Sequence, residues 1–80
     1  MYWVYIIECA DGTLYTGITK DVAARVSRHE LGSGAKYVRG RGPVKIVFRE
    51  RKLTRSSAQK REAEVKSLSR EKKLQLIRGG

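Results

Sequence analysis

The feature that most constrains this chain is a hairpin pattern close to its start. The segment from Tyr2 to Ile7 is rich in aromatic and β-branched residues, which favour a β-strand. The segment from Thr13 to Ile18 predicts a second strand. Between them, Ala10-Asp11-Gly12 is a strong hairpin signal, because Asp-Gly suits a tight turn with Gly12 in the left-handed conformation.

This turn predicts a definite register, in which Tyr5 faces Gly17 and Ile7 faces Tyr15. Because side chains alternate along a strand, Tyr5, Tyr15 and Gly17 then share one face of the sheet. Two phenols beside a residue without a side chain form a notch with two polar tips. The alternative is structural: the tyrosines are ordinary strand residues, and Gly17 marks a β-bulge.

Length and charge narrow the possible functions. A chain of 80 residues predicts one domain, residues 1–80, with a modest core and a shallow surface groove for any active site. A net charge of +10 and a pI near 10.3 make a polyanion the expected partner. No apolar run approaches the ~20 residues of a membrane helix, and no signal peptide is evident, which favours nucleic acid as the partner and the cytoplasm as the compartment. A monomer is expected. Cys9 is the single cysteine, which excludes an internal disulfide, and with one histidine the chain cannot form a zinc finger.

A helix is predicted next, from Val22 to Leu31, with Thr19 or Asp21 as the capping residue. Arg25 and His29 are four residues apart, so their side chains are neighbours near the apolar face of this helix. They are either functional groups or a surface arginine and a hydrogen-bonded core histidine.

The next segment, from Gly32 to Pro43, holds four glycines and a proline, and is predicted as a loop. Guanidinium groups on a flexible backbone suit phosphate contact, although a solvated basic loop is an equal alternative. The nucleic-acid-binding residues predicted here are Lys36, Tyr37, Arg39 and Arg41.

A third strand, Val44 to Phe48, precedes a charged exit and two helices, the first from Ser57 to Ser67 and the second ending near Gly79. Glu62 lies on the apolar stripe of the first helix, where an unpaired carboxylate is costly. It is therefore either a metal ligand or the partner of an internal ion pair, for which Arg25 is the candidate.

Taken in order along the chain, these residues resemble the GIY-YIG nuclease domain over nearly the whole sequence. The first family triplet stands as Trp3-Val4-Tyr5 and the second as Tyr15-Thr16-Gly17, and the chain is most similar to the small single-domain bacterial members. The catalytic set by resemblance is Tyr5, Tyr15, Gly17, Arg25, His29 and Glu62. One departure is that no asparagine follows Glu62.

The resemblance implies an α+β fold, a small three-stranded antiparallel sheet flanked by helices. It also implies hydrolysis of DNA phosphodiester bonds, on branched or repair intermediates, leaving a 5′-phosphate and a 3′-hydroxyl. Glu62 would bind one divalent metal, Mg²⁺ or Mn²⁺, and Arg25 would stabilise the transition state. Tyr5 would be the general base with help from His29, while Tyr15 orients the water or phosphate.

Two alternatives from other functional classes remain at this point. The same fold could be a basic nucleic-acid-binding module without catalysis, or a structural component of a ribonucleoprotein. Both explain the charge of +10, but neither requires a carboxylate at Glu62.

Overall fold

The computed structural model describes residues 1–25 and 44–79. Three antiparallel strands form one sheet in the order β2-β1-β3, followed by two helices, which confirms the predicted α+β fold. The described elements are β1 (Tyr2–Cys9), β2 (Leu14–Thr19), β3 (Val44–Lys52), α1 (Arg55–Ser67) and α2 (Arg70–Gly79).

The hairpin between β1 and β2 has the predicted register. Tyr5 is the cross-strand partner of Gly17, and Ile7 is the partner of Tyr15. The Gly12 amide donates to the Cys9 carbonyl at 2.9 Å, and Gly12 has φ of 86°, so the turn depends on the left-handed conformation that glycine adopts most readily. A bulge does occur in the sheet, but it lies in the β1–β3 pairing between Ile6 and Ile7, not at Gly17.

The two faces of β1 contribute to two different apolar clusters. Val4 and Ile6 pack with Phe48 and with Ala58 and Val65 of α1, so this face is covered by the helices. The opposite face carries a second cluster of buried residues, formed by Tyr5, Ile7, Cys9 and Val44.

The third strand is longer than predicted, because Arg49 to Lys52 continue it to nine residues. The sequence suggested a charged exit from the strand at this point. Among the strands that the structure describes, β3 lies at an edge of the sheet, where charged side chains are tolerated and oppose further pairing. Glu50 also finds two cationic partners, Lys52 and Arg61, each at 3.1 Å.

Local hydrogen bonds determine where the helices begin. Thr54 caps α1, since its hydroxyl accepts from the Ser57 amide at 3.1 Å. α2 follows after a short break, and the Ser69 hydroxyl accepts from the Lys72 amide at 3.2 Å. Leu76 and Ile77 of α2 pack against the cluster around Val4 and Ile6. Within the two described ranges, no helix is long and apolar enough to cross a membrane.

Candidate active site

The Tyr5 side chain lies directly over Gly17. A Cβ atom built on Gly17 would be 2.6 Å from the Tyr5 hydroxyl and 2.8 Å from its Cζ, closer than real Cβ contacts allow. Gly17 therefore provides the space that lets the phenol of Tyr5 lie across β2. Tyr5 is only 2% exposed, so its position is determined by packing.

Tyr15 is the second aromatic residue on this face. Its ring centroid lies 6.5 Å from that of Tyr5, with the ring planes inclined by 49°. This is a favourable tilted arrangement of two aromatic rings. The pair is a direct product of strand alternation, because Tyr15 stands opposite Ile7, two residues from Tyr5 on the same face.

Arg25 is positioned by a helical turn that begins directly after β2, at residues 22–25. Asp21 caps this turn, since its carboxylate accepts from the Ala24 amide at 3.1 Å and its carbonyl accepts from the Arg25 amide at 3.1 Å. The Arg25 guanidinium lies close enough to Tyr5 to favour ionisation of the phenol.

Glu62 approaches the same phenol from α1. The buried residues Ala58 and Val65 fix the rotation of this helix against the sheet. Arg61 is bonded to Glu50 of β3, while the next residue, Glu62, has its partner on the opposite side, at Lys66. The Glu62 side chain is 22% exposed, and its charge acts on Tyr5.

The ion pair of Glu62 differs from the one suggested by the sequence. Within residues 1–25 and 44–79, its partner is Lys66 at 3.5 Å, and not Arg25. The spacing of four residues along a helix could have indicated this pair, because such side chains are neighbours. Lys66 is thus a residue that the sequence analysis did not include in the site.

The pKa of Tyr5 is raised to about 12, chiefly by burial of the phenol. The nearby Tyr15 and Glu62 also act to raise this pKa, while Arg25 acts to lower it. The desolvation of the ionised phenol outweighs the attraction of the single guanidinium. At neutral pH the phenol is therefore protonated and can donate a hydrogen bond. A role as general base requires additional positive charge near the hydroxyl.

A metal at this place would need ligands beyond the protein. No group of three or more acidic, histidine or cysteine side chains is close enough to hold a metal in the described ranges. A single partly exposed carboxylate fits Mg²⁺ or Mn²⁺, because Mg²⁺ commonly keeps several waters and binds one or two carboxylates together with substrate phosphates. Glu62 suits such an open site, and does not suit a closed structural site.

The remaining predicted residues lie outside the described ranges. They are His29 and the four loop residues Lys36, Tyr37, Arg39 and Arg41. Their predicted roles stay predictions.

Comparison with known proteins identifies the family. The GIY-YIG catalytic domain matches residues 1–75, so the chain belongs to the GIY-YIG family. More particularly, its relatives are UPF0213 proteins, a small single-domain branch of that family in bacteria. The UPF0213 protein of Staphylococcus aureus strain Mu3 is 53% identical over 77 residues, which cover 96% of this chain and 94% of that protein.

Two solved structures are similar to this fold. The solution NMR structure of the UPF0213 protein BH0048 from Bacillus halodurans is 50% identical, with a TM-score of 0.62 over 96% of this chain and 83% of that one. The solution NMR structure of EF2693 from E. faecalis is 39% identical, with a TM-score of 0.67 over 98% of this chain and 83% of that one. These likenesses support both the family and the sheet topology described above.

Proposed function

We propose that this protein is a metal-dependent endonuclease that hydrolyses phosphodiester bonds of DNA and leaves a 5′-phosphate and a 3′-hydroxyl. A single observation carries the proposal: the charges of two residues act on the Tyr5 phenol. Arg25 comes from the turn after β2, and Glu62 comes from α1. Residues far apart in the chain thus lie near the same phenol. The family membership supports the same reaction class.

Each residue has a distinct task in the proposed reaction. Glu62 holds Mg²⁺ or Mn²⁺, which would supply charge neutralisation at the scissile phosphate and at the leaving oxygen. Arg25 stabilises the negative charge that develops on the phosphate in the transition state. Tyr15 orients the attacking water or the phosphate, and Gly17 makes room for the Tyr5 ring.

Tyr5 takes the proton from the attacking water in its ionised form, with His29 as a helper. Since burial raises the pKa of Tyr5 to about 12, the ionised fraction at neutral pH is small. A divalent cation bound at Glu62 would lower that pKa, because the net charge near the phenol would change from negative to positive.

Branched or repair intermediates of DNA are the substrates we propose. A domain of this size has little surface for reading a long base sequence, so the shape of the DNA is the feature it can recognise. The informative test is cleavage of flaps, junctions, plain duplex and single strands with Mg²⁺ or Mn²⁺, with Glu62→Gln as the inactive control. Products are sequenced at their ends to identify the 5′-phosphate.

The second candidate is a basic binding module without catalysis. It is favoured by the net charge of +10 and by the raised pKa of Tyr5, which opposes a base at neutral pH. Binding of the same DNA panel without any cleavage in either metal, over pH 6 to 9, would support this candidate against the nuclease.

A further inference from the structure

A cationic groove lies along β2, beside the candidate active site. Its first part is a cavity of about 260 Å³ lined by Leu14, Tyr15 and Thr16 of β2 and by two lysines, Lys66 and Lys73. Tyr15 belongs to the candidate site, and Lys66 is the ion-pair partner of Glu62. This cavity therefore borders the residues of the candidate active site.

The second part is a cavity of about 360 Å³ beside the hairpin turn. It shares Leu14 and Lys73 with the first cavity and adds Arg70 and the turn residues Asp11, Gly12 and Thr13. The Arg70 guanidinium lies 3.9 Å from the position that a Cβ on Gly12 would occupy, so it reaches over the turn. The two cavities are therefore neighbours, and together they are called the groove, which extends from the hairpin tip to Tyr15.

The charge of this groove is strongly positive. Lys66, Arg70 and Lys73 come from the end of α1 and the beginning of α2, and face the edge strand together. The acidic group in the lining is Asp11, whose carboxylate accepts from the Thr13 amide at 2.9 Å. Glu62 lies beyond Lys66, at the active-site end.

We propose that this groove binds the sugar-phosphate backbone of the DNA strand next to the cleaved bond, with Lys66, Arg70 and Lys73 each contacting a phosphate. The inference rests on the proposed function for the identity of the site at its end. A nucleic-acid strand is the occupant that fits, because three cations along an open surface groove match a chain of regularly spaced phosphates. The contacts would fix the position of the strand relative to Glu62 without reading its bases.

The test compares two variants that remove the same charge. In the groove variant Lys66, Arg70 and Lys73 become alanine, and in the control variant Arg55, Lys60 and Lys72 become alanine. Both sets contain two lysines and one arginine from the same two helices, and the control side chains line neither cavity. Every protein carries Glu62→Gln, so that removing Lys66 does not expose an unpaired carboxylate to the DNA.

Binding of a fluorescein-labelled flap duplex is measured in EDTA at several salt concentrations, after thermal melting has shown that both variants are folded. The groove variant should lower the slope of log affinity against log salt by about two to three units, at roughly 0.9 per phosphate contact on duplex DNA. The control variant should change the slope by less than one unit. Equal slopes for the two variants would overturn the proposal.

The experiments can reject the DNA-binding groove and the nuclease function independently. The protein with Glu62 intact is assayed for cleavage of the same flap in Mg²⁺ and Mn²⁺. Cleavage together with equal slopes rejects the groove and keeps the nuclease. A reduced slope for the groove variant alone, without cleavage by the intact protein, keeps the groove as a binding surface and rejects the nuclease.

Discussion

The ammonium group of Lys66 lies 3.5 Å from a carboxylate oxygen of Glu62, one helical turn away on α1. A lysine therefore lies beside the carboxylate to which the proposed function assigns a divalent metal. The pair is partly exposed, with side-chain exposures of 53% for Lys66 and 22% for Glu62. Such a pair is weak, so it can exchange for a stronger cation.

A first prediction concerns competition at this carboxylate. Lys66→Met should tighten Mn²⁺ binding by about two- to fivefold, because the metal no longer displaces an ammonium group worth up to ~1 kcal/mol. The measurement is a calorimetric or magnetic-resonance titration with Mn²⁺ alone. Lys60→Met, on the exposed side of the same helix, is the matched control. Equal affinities in the two variants would show that Lys66 does not compete with metal.

A second prediction concerns the space above Gly17. Gly17→Ala should destabilise the fold by about 1–3 kcal/mol, since the added Cβ would overlap the buried Tyr5 ring. Gly79→Ala is the control, because a Cβ there meets nothing within 4 Å. When Tyr5 is also replaced by alanine, Gly17→Ala should cause little further loss of stability. Additive effects in this double-mutant cycle, measured by chemical denaturation, would contradict the overlap.

A third prediction follows from the pKa of Tyr5, which burial raises from its ordinary 10 to about 12. The Tyr5 phenol ionises at lower pH in the unfolded chain than in the folded one. The protonated phenol therefore stabilises the folded state fully below pH 10, and this contribution to the free energy of unfolding is lost as the pH rises from 10 to 12. The total is about 2–3 kcal/mol for a shift of two units. The free energy of unfolding of Tyr5→Phe should therefore fall less steeply above pH 10 than that of the unchanged protein. Parallel curves would mean that the phenol is not desolvated.

A fourth prediction applies the same pKa to catalysis. If the ionised phenol of Tyr5 is the base, the cleavage rate should rise with pH between about 6 and 9, by up to tenfold per unit. Tyr5→Phe should lose both the activity and this dependence, while binding of DNA in EDTA stays within about twofold. A rate that is flat over this range, under conditions where chemistry limits turnover, would exclude Tyr5 as the base.

A fifth prediction uses the buried hydroxyl of Thr16. This residue is 3% exposed, and its Oγ1 has no hydrogen-bond partner within residues 1–25 and 44–79. Thr16→Val removes an unsatisfied polar group at nearly constant shape, so it should leave stability unchanged or raise it by about 1 kcal/mol. Thr54→Val, which removes the cap of α1, should instead cost about 1 kcal/mol. If thermal melts show both variants to be destabilised equally, the Thr16 hydroxyl has a hydrogen-bond partner.

The hairpin could be predicted from the sequence because its signals are local. Asp11-Gly12 determines the turn, strand alternation determines the face, and the cross-strand partners of Tyr5 and Ile7 follow. The full length of β3 could not be predicted in this way. Arg49 to Lys52 have poor strand propensity, and their pairing with β1 is a tertiary effect.

The partners of Glu62 show a second limit of the sequence. Helical periodicity placed this carboxylate on the apolar side of α1, but it could not say which side of the sheet the helix would face. Packing of Ala58 and Val65 decides that rotation. It brings Glu62 near Tyr5 and leaves Lys66, rather than Arg25, as the ion-pair partner. The meeting of Lys66 with Arg70 and Lys73 along β2 likewise depends on how α2 follows α1.

The β1–β2 hairpin also has a consequence for how the protein folds. Tyr5, Tyr15 and Gly17 are at most 12 positions apart in the sequence, so their contacts can form with the hairpin, in about 1–10 μs. Glu62 is far along the chain, and closing the longer loop that brings it in carries a larger entropic cost. We expect the aromatic half of the site to assemble first and the carboxylate to arrive when α1 docks. Substitutions at Ile7 should then slow folding, while Val65→Ala should mainly speed unfolding.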